Sequence, residues 1–477
     1  MELKDLLISA EKRVNEFHEF QKLGLICNNG DYIPAGIHYP QITQYPAIDH
    51  DEMYKGYTFP ADGMIDVYVH FPFCSKRCMF CHYPSLYGNN DNIKDRYIDA
   101  LEKEMDIYLK KFNLEKIKLR VALIGGGTPT DLTTKQLERF LKIFTTKCDM
   151  SKTRQFNYDV SPHTLIGDIG LERLQILKDY GVNRLTIGIQ SMDEKVLKLM
   201  NRPHNKKEAL EAIKNSMNMG FETDIEFIYG FPGQTIESWY EELKQIVQID
   251  ANEYQFYRLM VDAFGDRQGL IKQYHENHPE ESINPDNIIK MKQMVFDYLG
   301  SYGLKENIRR VFTRKKSCIS LYAFNQCCRG LDQVGFGLTG FSSLRDRFVL
   351  NTKDFDTYYK MIDDGKLPYD RGYVRDSIAQ QRWAIILPLK NYFIKKSRYK
   401  EVTGIDIEKT IFYPIIQQLK GYGFIEETDE IVKLTDKGVF FSDDIVLLFY
   451  ETKFIPKGKE LFNDGPLNPY SITSFTK

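Results

Sequence analysis

Long apolar runs are missing from this 477-residue chain. None reaches the roughly 20 residues that a membrane-spanning helix needs, so no membrane partner is expected. The opening residues Met1-Glu2-Leu3-Lys4-Asp5 lack the apolar stretch of a secretory signal. A basic excess is missing too: 64 Lys and Arg against 66 Asp and Glu leave a net charge of −2. That balance gives no electrostatic footprint for nucleic acid. There is no low-complexity tract, and no repeat beyond the strand–helix alternation described below. Cysteine is scarce, with eight residues in all, which rules out a disulfide framework in a chain this long and points to a reducing, cytoplasmic setting. The composition, 42% hydrophobic and 27% charged, is that of a soluble globular protein. The length allows a barrel-sized domain with one or two smaller units.

The few cysteines are not evenly spread. Cys27, Cys148, Cys318, Cys327 and Cys328 are scattered, whereas Cys74, Cys78 and Cys81 fall in Val69-His70-Phe71-Pro72-Phe73-Cys74-Ser75-Lys76-Arg77-Cys78-Met79-Phe80-Cys81, spaced C-x3-C-x2-C. Three thiolates this close can hold three irons of a cubane iron–sulfur cluster and leave the fourth without a protein ligand. Zinc is the alternative. Structural zinc, however, takes four ligands in paired spacings, and His82 follows Cys81 too closely to supply the fourth. A vacant iron could bind a small chelating molecule and pass it an electron. Such chemistry belongs to the cofactor; the protein supplies binding, orientation and dryness. A cluster of this kind also calls for low oxygen.

Hydrophobic periodicity predicts a helix near Leu3–Leu23, then a loop rich in Gly, Pro and Tyr containing Tyr39-Pro40-Gln41-Ile42-Thr43-Gln44-Tyr45-Pro46. This arm either packs across a larger domain or crosses the mouth of a site. From residue 66, short β-branched runs alternate with amphipathic segments. The expected strands are 66–70, 120–124, 156–160, 184–189, 223–229 and 254–260. The expected helices are 92–112, 134–146, 171–180, 206–219, 236–249 and, after a connector, 287–299. Six strand–helix units imply a parallel sheet with helices outside, an α/β partial (βα)6 barrel of the TIM type, with sites at the C-terminal strand ends. The chain divides into an N-terminal arm (1–65), the partial barrel (66–285), a mixed α+β substrate-side region (286–399) and a C-terminal unit (400–477). The last reads as helix, strand, turn, strand and resembles a winged helix. Glu426, Glu427, Asp429 and Glu430 surround its wing, so it suits packing or protein contact better than DNA.

The motifs sit at strand ends. Ile124-Gly125-Gly126-Gly127-Thr128-Pro129-Thr130 would let backbone groups approach a carboxylate and an ammonium closely. Asp159 could pair with an ammonium, or act as a helix N-cap or a solvated loop acid. Gln190 offers an amide donor and acceptor. Arg202 is placed to meet a carboxylate, or is an exposed helix-end arginine. Glu226 lies on an apolar strand and, facing inward, needs a partner. The Gly230-Phe231-Pro232-Gly233 turn could line a flat ring.

Together these strings resemble the radical S-adenosylmethionine (SAM) superfamily. Residues 66–350 resemble the branch of oxygen-independent coproporphyrinogen III dehydrogenase, with class C radical SAM methyltransferases, cyclopropanases and a haem chaperone among its relatives. The shared strings are YVHFPFCSKRCMFC, GGGTPT, NRLTIGIQS, the Asn201-Arg202 pair and FIYGFPGQT. The resemblance implies a radical SAM barrel in which Cys74, Cys78 and Cys81 bind a four-iron four-sulfur cluster. It implies SAM contacts at Tyr68, Gly126, Gly127, Thr128, Asp159, Gln190, Arg202, Glu226 and Ile228, with Phe80 beside the cluster. One or two SAM molecules are expected, with a small-molecule substrate, an electron donor such as flavodoxin or ferredoxin, and a monomer. Three positions depart from the dehydrogenase pattern. Tyr83 stands where it has a further cysteine, Asp159 where it usually has Glu, and Glu226 where it usually has Asp.

Three functions follow as expectations. The first is carbon transfer, in which a second SAM supplies a methyl or methylene to an sp2 carbon of an aromatic, alkene or tetrapyrrole. The second is oxidative decarboxylation of coproporphyrinogen III. The third is a haem chaperone with a vestigial cluster. Tyr45, Tyr322, Asn325, Arg329 and Arg345 are candidates to line a substrate pocket.

Overall fold

The barrel strands alternate between an apolar outer face and a polar inner one, and this explains their sequences. The computed structural model describes residues 1–29, 38–49, 52–88, 90–262 and 269–472. In it, β1 spans Met64–Phe71. Ile65, Val67, Val69 and Phe71 enter the main core beneath the helices. Asp66, Tyr68 and His70 face the lumen, where Asp66 meets Asn325 and Tyr68 bonds His70. The same period of two recurs in β2 (Ile117–Gly126), β3 (Gln155–Val160), β4 (Arg184–Gln190), β5 (Glu222–Tyr229) and β6 (Glu253–Arg258). These strands pair side by side in chain order, all parallel.

The helices between them start where capping chemistry allows. Thr133 with Gln136, Asn205 with Glu208 and Thr235 with Ser238 form reciprocal caps, satisfying backbone donors that would otherwise be orphaned. Helix Pro285–Ser301 packs outside the barrel, where Met291 O accepts from Trp239 Nε1 at 3.1 Å.

The sheet continues past both ends of the barrel. Beyond β6 lies the antiparallel hairpin Lys305–Ile308 and Val311–Thr313. Beyond β1 comes Gln333–Phe336, parallel to it, then an antiparallel run of Phe341–Leu344, Arg347–Asn351 and Tyr369–Val374. The boundary expected at 285/286 therefore separates strands of one continuous sheet. The segment leading into helix Leu321–Cys327 forms the lumen floor. Ser320 N donates to Glu253 Oε2 (2.9 Å), Leu321 N to Gln155 Oε1 (2.8 Å) and Arg184 Nη1 to Cys318 O (3.2 Å).

A second core joins the N-terminal helix Leu3–Lys22 to the C-terminal unit, with Phe17 and Phe20 packed among Trp383, Leu419 and Phe441. Helix Ser377–Lys390 is buried on nearly every side, as an apolar helix inside a core should be. The small sheet of this unit pairs Phe393–Lys395, Ile431–Leu434 and Ile425–Glu427, so the unit begins before position 400. The acidic wing is internally neutralised, Glu426 by Lys433 and Glu427 by Lys396. The N-terminal arm packs across the sheet extension: Tyr45 stacks on Phe348 at 5.5 Å, and Pro46 O accepts from Gly372 N. Residues 30–37 of the arm lie outside the described residues. Among the described residues, no helix is long and apolar enough to cross a membrane.

Candidate cluster and nucleoside site

The loop after β1 presents the three cysteines at the C-terminal end of the barrel, and each sulfur meets a donor. Thr128 Oγ1 lies 3.6 Å from Cys74 Sγ and Arg202 Nη1 lies 3.1 Å from Cys78 Sγ. The Tyr83 backbone N–H points at Cys81. Burial pushes the Cys74 thiol up to about 12 and raises that of Cys81. Bare thiolates would be costly here, whereas metal-bound thiolates with hydrogen-bond donors around them would not. Among the described residues, the group whose ligand atoms fall within 4.8 Å of one another is His278, Glu280 and Glu281, not the cysteines. One zinc ion would draw three thiolates tighter than that, since zinc–sulfur bonds run about 2.3 Å; a cubane needs them spread. His82 is also accounted for. Its Nδ1 accepts from Gly269 N at 3.0 Å and its Nε2 meets Met260 O at 3.0 Å, so it supplies no fourth ligand. The residues present fit a four-iron four-sulfur cluster with one iron left open.

Neighbouring loops hold the cysteine loop still. Met79 N donates to Met200 O and Ile271 N to Met79 O, both at 3.0 Å. Ser75 N donates to Asp131 Oδ2 at 2.6 Å, and Asp131 also meets His163.

The glycine run forms a cradle with no room for side chains. A Cβ on Gly125 would lie 2.2 Å from Asp159 Oδ2, and one on Gly127 2.4 Å from Phe73 O. Gly126 adopts a φ of 106° against the His70 ring, a conformation open to glycine at little cost. Thr128 turns back onto the cysteine loop through Thr128 N to Phe73 O at 2.6 Å.

Asp159 and Glu226 face one another across the lumen. Burial, then the Glu226 charge, raises the Asp159 carboxyl well above its usual range. Burial likewise raises Glu226, although Tyr257, Arg202 and Gln190 oppose the shift. Two partly buried carboxylates of this kind are stabilised by a cation between them. Asp159 is thus a lumen residue and not a helix cap. Gln190 sits at an irregularity in the β4–β5 pairing with a φ of 78°. This strained backbone aims its amide at Glu226. Arg202 is no exposed helix end: one arm reaches Cys78 and the other Gly188 O. Phe80 and Ile228 share an apolar cluster with Met79, Met200 and Phe231. Tyr68 bonds His70 Nδ1 at 2.9 Å and packs on Phe341 and Tyr322.

Two site residues escaped sequence reasoning. Tyr257 bonds Glu226 Oε1 at 3.1 Å, and His70 carries the Tyr68 hydroxyl. Each lies two residues along its strand from another lumen side chain, so strict alternation would have found both. Of the suggested pocket residues, Tyr322 and Asn325 face the lumen floor, Asn325 bonding Asp66. Tyr45 and Arg345 do not reach it; Arg345 meets Glu401 O at the surface.

Comparison with known proteins agrees with this arrangement. Residues 68–246 match the Radical SAM superfamily. The chain is 24% identical over 392 residues to the heme chaperone HemW of Bacillus subtilis (strain 168), covering 80% of this chain and 98% of that protein. It is 22% identical over 427 residues to the oxygen-independent coproporphyrinogen III oxidase of Salmonella typhimurium, covering 86% and 92%. The solved coproporphyrinogen III oxidase (HemN) of Escherichia coli superposes with a TM-score of 0.72 at 22% identity, covering 88% of this chain and 96% of that one, and so shares its fold. Residues 68–246 thus carry a radical SAM domain, and the chain is a radical SAM enzyme, a class that works with a four-iron four-sulfur cluster and SAM. Within that class its resemblance is to the branch of the oxygen-independent coproporphyrinogen III oxidases and the HemW heme chaperones.

Proposed function

We propose that this protein catalyses the oxygen-independent oxidative decarboxylation of a propionate side chain on a tetrapyrrole of the coproporphyrinogen class. The observation that carries this reading is the length of the resemblance. It runs through nearly the whole of relatives whose names concern coproporphyrinogen or heme, substrate-side region included. Methyl or methylene transfer, the leading expectation from sequence, has no comparable support in the relatives described above.

When bound, the cluster and SAM would supply hydrogen-atom abstraction from the propionate, the chemistry needed if carbon dioxide and one electron, the latter to an external acceptor, are to leave and a vinyl group remain. The chain's residues do the rest. Cys74, Cys78 and Cys81 would hold the cluster. Arg202 and Thr128 place hydrogen bonds on two of the sulfurs. Asp159, and Glu226 held by Gln190 and Tyr257, would take the cationic part of SAM, relieving the repulsion between two partly buried acids. Gly125 and Gly126 keep side chains out of the space its methionine end would need, and Gly127 anchors the turn by donating its N–H to Phe71 O at 2.7 Å. Phe80 and Ile228, in one apolar cluster with Met79, would keep water from the cysteine loop.

A second reading, heme carriage, is favoured by one residue: Tyr83, where the dehydrogenase resemblance expects a cysteine. The test is anaerobic reconstitution followed by incubation with SAM, reductant and coproporphyrinogen III. Deoxyadenosine formed together with loss of carboxyl mass is the expected result, abolished in Cys74→Ala. Tight heme retention with no substrate-dependent deoxyadenosine would favour carriage. S-adenosylhomocysteine and a gained methyl would overturn both.

A further inference from the structure

The turns that follow β2 and β3 meet on the cysteine loop through one carboxylate and one imidazole. Asp131 ends the single helical turn Pro129–Asp131 after β2, and His163 stands in the matching turn Pro162–Thr164 after β3. Asp131 Oδ2 accepts from Ser75 N at 2.6 Å, and Asp131 Oδ1 lies 3.2 Å from His163 Nε2. The same Nε2 lies 3.2 Å from Ser75 Oγ. Ser75 directly follows Cys74. An ionised carboxylate can only accept, so Nε2 carries a proton and shares it between Asp131 and Ser75. Ser161 Oγ, 2.9 Å from Nδ1, fixes the other side of the ring.

This junction is anchored from behind. Thr130 and Thr164 are both buried, their hydroxyl oxygens 2.6 Å apart, and Thr164 Oγ1 donates to Ser161 O at 2.7 Å. Arg173 donates to Thr164 O and to Leu132 O, each at 3.2 Å. Lys94 Nζ donates to the Asp131 carbonyl at 2.8 Å and pairs with Asp91. The Asp131 carboxylate is left to His163, its one side-chain ion partner among the described residues.

The charge of Asp131 bears on the nearest sulfur. Its side chain is 7% exposed, so water and salt screen it poorly. After burial and the neighbouring thiols, Asp131 adds to the rise of the Cys74 thiol. It also takes up the Ser75 N–H, which a sulfur could otherwise use. The cysteine loop thus sits between a cation at Cys78, Arg202, and an anion beside Cys74. An anion next to a redox centre destabilises an added electron, and local charge and hydrogen bonding set cluster potentials.

We propose that Asp131 and His163 are positioning residues for the cluster: they clamp the cysteine loop at Ser75, and the Asp131 charge holds the reduction potential low. The proposal rests on the radical SAM class and makes no use of the tetrapyrrole reading. Full-length wild type, Asp131→Asn, Asp131→Glu, His163→Ala and His163→Gln are reconstituted anaerobically, and iron content and melting temperature are measured for each. The potential is read by titration followed by electron paramagnetic resonance, and cluster loss by the fading of its absorbance in a chelator. Asp131→Asn keeps an acceptor for Ser75 N and loses the charge, so its potential becomes less negative, whereas Asp131→Glu stays with wild type. His163→Ala loses its cluster about tenfold faster, as expected when a partner behind a metal ligand is removed. His163→Gln keeps a side-chain N–H for Asp131 and restores the wild-type rate. A wild-type potential in Asp131→Asn overturns the proposal, and so does a His163→Ala cluster that fades no faster than wild type. If Asp131→Asn does not fold, the rates of His163→Ala and His163→Gln decide the matter by the same criterion. No tetrapyrrole enters any of these measurements, so failure of the decarboxylation would leave the clamp standing.

Discussion

Arg202 Nη1 stands 3.1 Å from Cys78 Sγ, while the same guanidinium reaches Gly188 O on β4. The arginine therefore ties a cluster ligand to the barrel wall. Arg202→Leu should leave three cysteines able to bind iron but strip one sulfur of its donor and a nearby positive charge. We expect a cluster with a more negative reduction potential, since hydrogen bonds to the sulfurs help set it, and a rate of deoxyadenosine formation lower by about 10–100-fold, as for other partners of metal ligands. Potentiometric titration followed by electron paramagnetic resonance checks the first, and product chromatography the second. An unchanged potential would remove Arg202 from the cluster's surroundings.

Gly125→Ala should be more selective. Its Cβ would fall 2.2 Å from Asp159 Oδ2, so the carboxylate must swing away while the cysteine loop stays put. Iron content should match wild type, and SAM affinity should fall by about tenfold, the loss of one charge-assisted contact. Equilibrium dialysis with labelled SAM measures it.

Glu104 gives a prediction about stability. Its carboxylate, buried on helix Asp91–Lys111, accepts from Gly337 N (2.8 Å), Tyr358 OH (2.7 Å) and Asn351 Nδ2 (2.8 Å). Glu104→Ala orphans three donors and should cost about 3 kcal/mol in urea unfolding. Burial nonetheless raises Glu104 to about 7, and Asp66 likewise to about 7. Both folded values lie above the unfolded ones, near 4. Their contribution to stability is therefore complete below about pH 4 and lost as pH rises through about 7, on the order of 1 kcal/mol per pH unit for each group. Glu104→Gln should flatten that slope across about pH 4 to 7, and an unaltered slope would refute the assignment.

Tyr83 marks where this chain departs from the dehydrogenase. Its ring is 58% exposed yet lies 6.3 Å from the His70 ring, and Cys81, Glu226 and Asp159 act on its hydroxyl. The exposure is thus toward the lumen. Tyr83→Phe should keep the cluster and lower substrate-dependent deoxyadenosine formation about tenfold, the cost of one hydrogen bond to a charged group. Retained activity would make the ring mere packing.

The sequence was most legible where one chemical demand fixes spacing. The cysteine loop, the glycine run and the six barrel strands were found to within a few residues, because period-two patterning and glycine geometry are local. Arg202 shows the limit. Its type announced an anion, but only the fold reveals that a sulfur, and not only a carboxylate, waits 3.1 Å away. Phe393–Lys395 shows another. A three-residue strand carries almost no periodicity, so its pairing with Ile431–Leu434 could not be read, and the boundary at 400 fell inside the unit. Arg309 carried no signal of its own, since nothing local says that Asp443, more than a hundred residues on, would bond it.

The floor of the lumen has a consequence for how the protein is made. Arg184, Gln155 and Glu253 each bond a backbone group of Cys318, Leu321 and Ser320 respectively, and Asp66 bonds Asn325. A chain leaving the ribosome must therefore carry an unsealed, charged interior until residue 325 has emerged. Rim loops can be traded among related enzymes at small cost, but a tail borrowed from elsewhere would have to arrive with matching amides and carbonyls already in register.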